Sequence, residues 1–264
     1  MTDSSPRPFI RPAKVILLVL LLLLVYAAAL VALLPAGWVW ARASSHIQLP
    51  PGMSVQQVSG KLWNGAARVD VQRRPVRVEW QLSWPDVVAL RQPVELTLET
   101  VSSRVEGSLI LDWPGSLRAD LTGRLHIPEF ADVIRQNGGA LLEGDVIIDR
   151  LRVAVTDQQL ESATGLARWP GGNVSWPMGD RRQTAVFPPM QATLTESTSG
   201  FLLRISEQGQ ADPAAEASLS LTGMMEIRVY KRMVDLTGQS WSGGARPGDV
   251  IFQVQQPLLP GGRF

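Results

Sequence analysis

The chain has 264 residues, of which 45% are apolar and none is cysteine, and 25 basic side chains stand against 24 acidic ones. Without cysteine there are no disulfides, no thiol nucleophile and no Cys-ligated zinc. The near-balance of charge excludes the concentrated cationic face that nucleic acid requires.

In chain order, residues 1–14 form a short tail carrying Arg7, Arg11 and Lys14 against Asp3. Val15–Leu34 follows, twenty residues without a charge. As a helix rising ~1.5 Å per residue it reaches roughly 30 Å, the thickness of a bilayer's hydrocarbon core. Leucine on every face suits lipid, whereas a globular core offers one buried stripe. Ala41-Arg42-Ala43 has the shape of a signal-peptide cleavage site. The apolar run is, however, longer than the ~7–15 residues of a signal core, and Trp38 and Trp40 lie between run and triplet. The reading is an uncleaved anchor. The basic flank keeps the N-terminus cytoplasmic, and Trp38 and Trp40 fall at the outer membrane interface. Setting aside three basic and one acidic residue of the tail leaves 22 and 23 for residues 35–264, a neutral exported part.

Residues 35–57 read as a juxtamembrane linker, with Pro50-Pro51-Gly52 marking a turn. Beyond it the pattern has period two. Val78, Trp80, Leu82 and Trp84 alternate with Arg77, Glu79, Gln81 and Ser83, the signature of a half-buried strand. Pro85–Leu90 reads as one helical turn. Strand patterns return at Val94–Leu98, Val105–Trp113, Leu117–Ile127, Leu141–Val155, Ser162–Trp176, Ala192–Thr195, Gly200–Ile205, Ala217–Met233 and Val250–Gln255. Phe130, Val133 and Ile134, with Pro128 before and Asn137-Gly138-Gly139 after, predict a short helix. About a dozen strands with frequent turn signals suit an antiparallel meander. Glycines at 60, 107, 123, 144, 165 and 223 precede strands, and glycine within a strand predicts bulges and a strongly curved sheet. Trp84, Trp113, Trp169 and Trp176 each precede proline, which predicts strand ends with the ring capping one edge of the core. The fold expected is mostly β: one N-terminal transmembrane helix, then a strongly curved antiparallel sheet over residues 58–264 with two short helices.

Catalytic patterns are missing from this reading. His46 lies in the linker, and His126 faces solvent from a strand with Arg124. Asp145 and Asp149 are four apart in a strand, about 13 Å, too far for a glycosidase pair. Gly171-Gly172 and Gly243-Gly244 lack the lysine of a phosphate loop, and no G-x-S-x-G frames a serine. Neither a metal site nor a cofactor is expected, and the reading is not an enzyme.

One combination is specific: a basic tail, the apolar run, Leu34-Pro35-Ala36-Gly37-Trp38-Val39-Trp40, and then Val58-Ser59-Gly60-Lys61-Leu62-Trp63-Asn64-Gly65. It resembles the N protein of the bacterial type II secretion system. That resemblance implies a non-enzymatic inner-membrane component, its C-terminal domain in the periplasm, that helps folded proteins cross the outer membrane. The implied partners are the inner-membrane platform proteins and the outer-membrane secretin. Gly60, Leu62, Trp63 and Gly65 carry the motif, read as a tight turn with a buried indole. The Pro/Gly-rich end, Gln239–Phe264, departs from the family pattern. A second resemblance, to AsmA-like envelope proteins, implies a periplasmic lipid-binding or lipid-transfer module with an apolar sheet groove.

Overall fold

The computed structural model describes residues 12–45, 49, 52–72, 74–84, 86, 90–136, 139–157, 159–178, 181–220, 223–241 and 243–257. Helix α1 runs Pro12–Ala32 and α2 Ala36–Ala43. The first six strands are β1 (Met53–Lys61), β2 (Asn64–Val71), β3 (Arg74–Leu82), β4 (Arg91–Glu99), β5 (Arg104–Asp112) and β6 (Ser116–His126). A 3-10 turn, Ile127–Phe130, leads into α3 (Ala131–Gln136). Then come β7 (Leu141–Leu142), β8 (Asp145–Thr156), β9 (Gln159–Trp169), β10 (Gly172–Met178), β11 (Arg181–Phe187), β12 (Met190–Ser197) and β13 (Gly200–Glu207). The chain closes with β14 (Ala215–Ser220), β15 (Met224–Tyr230), α4 (Lys231–Asp235) and β16 (Val250–Pro257).

Thirteen strands form one antiparallel sheet in the order β1-β2-β3-β4-β5-β6-β8-β9-β12-β13-β14-β15-β16. Nearly every strand pairs with its sequence neighbour, so the sheet is a meander. Its turns alternate between two rims. The Leu62-Trp63 turn and the loops at 83–90 and 113–115 share one rim; loops 100–103, 127–144, 170–189 and 231–249 share the other. Period-two alternation places the apolar residues in register. Gly65, Trp80, Leu96, Gly107, Leu121, Leu151, Gly165, Leu194, Leu203, Ala217, Ile227 and Val254 pair successively from β2 to β16.

The sheet is not strongly curled, contrary to the glycine-based expectation. Gly107 sits in an unbroken ladder, where a Cβ would come within 2.2 Å of the Asp120 carbonyl and 2.6 Å of Leu121 Cδ2; at Gly165 a Cβ would lie 3.2 Å from the Arg150 carbonyl and from Leu151 Cδ1. These two glycines make room for the neighbouring strand, and the bulge expected near a strand glycine is found in β8 around Asp149, where the register shifts opposite Gly123 and next to Gly165. Gly144 and Gly223 stand outside strands at φ +84° and +79°.

The compact core lies at the second rim. Strands β11-β10-β7 form a small sheet, and Trp169, Val174, Ala185, Phe187, Met190 and Ala214 are buried together, with Met233 and Leu236 packed against them. β11 was absent from the predicted strands because Arg181-Arg182 obscures its alternation. The helices α2 and α4 were also missed: Ala36–Ala43 is short and tryptophan-rich, and Lys231–Asp235 continues a strand pattern. The helix predicted around Phe130–Ile134 is present as the 3-10 turn and α3. Of the turn predicted at Pro85–Leu90, residues 85 and 87–89 lie outside the described set, as do His46, Pro50 and Pro51. Asp86 and Arg91 bond each other as a β-bridge.

The tryptophan prediction holds at one position. Trp169 ends β9 at 4% exposure, its indole donating to the Glu143 carbonyl at 2.8 Å. Trp176 lies inside β10 and meets Phe187 edge to face, with ring centroids 6.5 Å apart. Trp84 and Trp113 are 95% and 77% exposed and cap nothing.

The anchor receives no support from geometry alone. Among the described residues no helix is long and apolar enough to cross a membrane.

A half-buried carboxylate staples the second rim. Glu129 accepts hydrogen bonds from Thr100 Oγ1 and Ser103 Oγ, both at 2.6 Å, and from the Ser102 amide at 2.8 Å. Burial is the largest influence on Glu129 and opposes its ionisation. The hydrogen bonds from Ser103, Thr100 and Ser102 together outweigh it, so the carboxyl lies below its ordinary pKa. A lowered folded pKa confers stability that is complete above the unfolded value of ~4.3 and is lost as pH falls through the folded value. Glu129→Gln is therefore expected to lose about 1–3 kcal/mol at pH 7. Urea unfolding from pH 7 downward checks this: the gap between the two proteins is largest at pH 7 and narrows as pH falls through the folded value. A constant difference would remove the carboxylate from the account.

Candidate functional site

The residues that carry the sequence motif come together where helix meets sheet. β1 and β2 are joined by the two-residue turn Leu62-Trp63, between the paired residues Lys61 and Asn64. The turn is possible because the pair next beyond Lys61 and Asn64 is Gly60 and Gly65. Gly60 adopts φ +85°, and a Cβ there would lie 2.8 Å from Gly65 Cα. A Cβ on Gly65 would lie 2.5 Å from Cζ2 of Trp80, whose ring covers it.

Four polar groups of the turn have partners. The Leu62 amide donates to the Leu34 carbonyl at 2.9 Å, and the Leu62 carbonyl accepts the Trp80 indole N–H at 2.9 Å. The Trp63 carbonyl accepts the Leu82 amide at 2.7 Å. The Trp63 indole reaches back to the carbonyl of Val31, 3.0 Å away in the last turn of α1. That carbonyl belongs to the group of helix-end acceptors that lack an α-helical donor. Pro35 forms a bridge with Lys61, and α2 then lies against β1, with Gly37 so near that a Cβ would sit 3.1 Å from the Val58 carbonyl. The motif is a clasp between the end of α1 and the edge of the sheet.

Trp63 and Leu62 are half-buried; Trp38 is 64% exposed on α2, and Trp40 is half-buried. The sequence reading missed Trp80 and the Leu34-Pro35 step as members of the clasp. Trp80 read only as one of several residues on an apolar strand face, and no local signal marks an indole whose acceptor lies eighteen residues away.

A hollow of about 350 Å³ adjoins the clasp, lined by Gly60, Gly65, Trp80, Arg77, Glu79 and Glu95 among others. Its charges are mixed, and Arg77 pairs with Glu79 at 2.6 Å. Elsewhere His126 Nδ1 lies 2.7 Å from Asp145 Oδ1, so this histidine is half-buried and partnered. Asp149 pairs separately with Arg168, whose hydrogen bond, with its charge, holds the carboxyl below the usual range against a small burial effect. The two aspartates are thus drawn to different neighbours. Among the described residues no three His, Asp or Glu side chains gather as a metal centre would need.

The described architecture is that of an open, mostly β meander with a helix clasped to one edge strand. Residues 51–250 match the family model for protein N of the type II secretion system. The chain belongs to that family, which makes it a component of type II secretion and places it in the cell envelope. The matched range includes Gly60, Leu62, Trp63 and Gly65 and stops at the first residue of β16; α1 and α2 precede it. No curated protein and no solved structure matches the chain.

Proposed function

We propose that this protein is a non-enzymatic, single-pass inner-membrane component of the type II secretion machinery. Its sheet stands in the periplasm and assists export of folded proteins through protein contacts with the platform proteins and the outer-membrane secretin. Residues 1–14 form the cytoplasmic tail, 15–34 the membrane span and 35–52 the connection; the periplasmic domain begins at Met53, since β1 takes in residues 53–57 that the sequence reading gave to the linker. No cofactor is required.

The observation that carries this reading is the clasp within a family-matched chain. A sheet joined to its helix at Val31, Leu34 and Pro35 is held at a set position relative to whatever the helix is embedded in. In support of an anchor, the uncharged run Val15–Leu34 would reach roughly 30 Å as a helix, and the described leucines from Leu17 to Leu24 are all more than half exposed. Exposed leucine on every side has no use in water. Trp38 and Trp40 then act at the outer interface, and Gly60, Leu62, Trp63 and Gly65 act structurally, as the clasp.

Two measurements test the proposal. Alkaline phosphatase fused after residue 45 is expected to be active and fused before residue 14 inactive; the reverse pattern would end the periplasmic assignment. Deleting the gene is expected to impair secretion of type II substrates and leave outer-membrane lipid unchanged. The lipid-module reading has one observation in its favour, the apolar row that crosses the sheet. Because the sheet is open and the hollow by the clasp is polar, that row forms no enclosed groove. Co-purified lipid with secretion intact would favour it.

A further inference from the structure

Four large apolar side chains are exposed at the rim that carries the clasp. Trp84 is 95% exposed, Trp113 77%, Leu90 56% and Leu111 46%. Topology puts them there: the β3–β4 and β5–β6 loops leave the sheet at the same rim as the Leu62-Trp63 turn, one and three strands from β2. At ~4.8 Å per strand, Trp113 lies roughly 15 Å along the rim from the clasp. The two loops are tied together, because the Trp113 amide donates to the Leu90 carbonyl at 3.1 Å and Asp86 and Arg91 close the first loop as a bridge. Beneath them Asp112 pairs with both Arg91 and Arg118. The indoles are thus held out by a braced platform.

We propose that this rim rests on the membrane, with Trp84, Leu90 and Trp113 in the lipid headgroup region as a second contact besides the helix. The proposal rests on the anchor reading above, since it is α1 leaving from this rim that turns the rim toward a bilayer. Indoles suit that layer because one edge is apolar and the N–H finds water or a headgroup. The chemistry favours lipid interface over a charged partner. Both arginines already share Asp112, so attachment comes from the rings and depends little on anionic lipid or salt. The opposite rim supplies the contrast: Val101, 87% exposed in the β4–β5 loop, stands one strand length away, roughly 30 Å.

Because the chain has no cysteine, single substitutions give clean labelling sites. Full-length Trp84→Cys, Trp113→Cys, Val101→Cys and Leu23→Cys, each labelled with an environment-sensitive fluorophore, are placed in nanodiscs with and without brominated acyl chains. The labels at 84 and 113 are expected to shift to the blue and lose intensity to bromine, like that at 23, while the label at 101 does neither. Unchanged quenching when neutral lipid replaces anionic lipid supports attachment by the rings. Quenching at 23 with 84 and 113 behaving like 101 overturns the inference, leaves the anchor standing and assigns the exposed rings to a protein partner. No quenching at 23 overturns the anchor, and the inference with it.

Discussion

Trp63→Ala is expected to release α1 from the sheet and give the largest functional loss of any single change outside the core. The substitution removes a half-buried indole and leaves the Val31 carbonyl without its 3.0 Å donor. Full truncation of a buried tryptophan costs about 3–5 kcal/mol, and half burial brings this to roughly 2 kcal/mol. The Leu62 amide, bonded to Leu34 across the same junction, reports the opening directly. A loss of ~2 kcal/mol corresponds to about thirtyfold faster exchange at that amide. Trp63→Phe keeps most of the ring and loses only the donor, so about 0.5–1.5 kcal/mol is expected. Secretion should fall in the same order, alanine below phenylalanine below wild type. Unchanged protection at Leu62 in the alanine variant would show that the clasp does not hold the helix.

Trp169→Ala is expected to give the largest loss of stability. Its ring is 4% exposed between the two sheets, packed with Val174, Phe187 and Met190, and its N–H satisfies Glu143. Truncation leaves a cavity and an unpaired carbonyl, together about 4–6 kcal/mol. For a chain of this size each kcal/mol lowers Tm by about 2–4 °C, so a fall of ~10 °C or more is expected by calorimetry. Trp84→Ala and Trp113→Ala, by contrast, should stay within about 0.5 kcal/mol of wild type in detergent. If all three behave alike, the core is not where the small sheet places it.

That contrast shows where sequence reading stops. Four Trp-Pro pairs look the same on the page, and proline's restriction on its predecessor places them beside strands. Whether the ring is then covered depends on what crosses that strand end. At Trp169 the strands β7, β10 and β11 return to cover it; at Trp84 and Trp113 no described element does. The glycines pose the same problem. A strand glycine serves a bend or makes room for a neighbour, and only the cross-strand partner, Leu121 beside Gly107, decides which.

What the amino-acid order determined by itself was everything governed by local period and by chemistry within a few residues. The uncharged run at Val15–Leu34, the alternation that makes antiparallel strands, the helix near Phe130 and the family motif from Gly60 to Gly65 all belong to that class. The tertiary structure alone decided that Trp63 bonds Val31, that Trp80 covers Gly65, and that the tryptophans of two loops share a rim with the end of α1. Those contacts join residues fifteen and more positions apart, and no local pattern encodes the pairing register that brings them together.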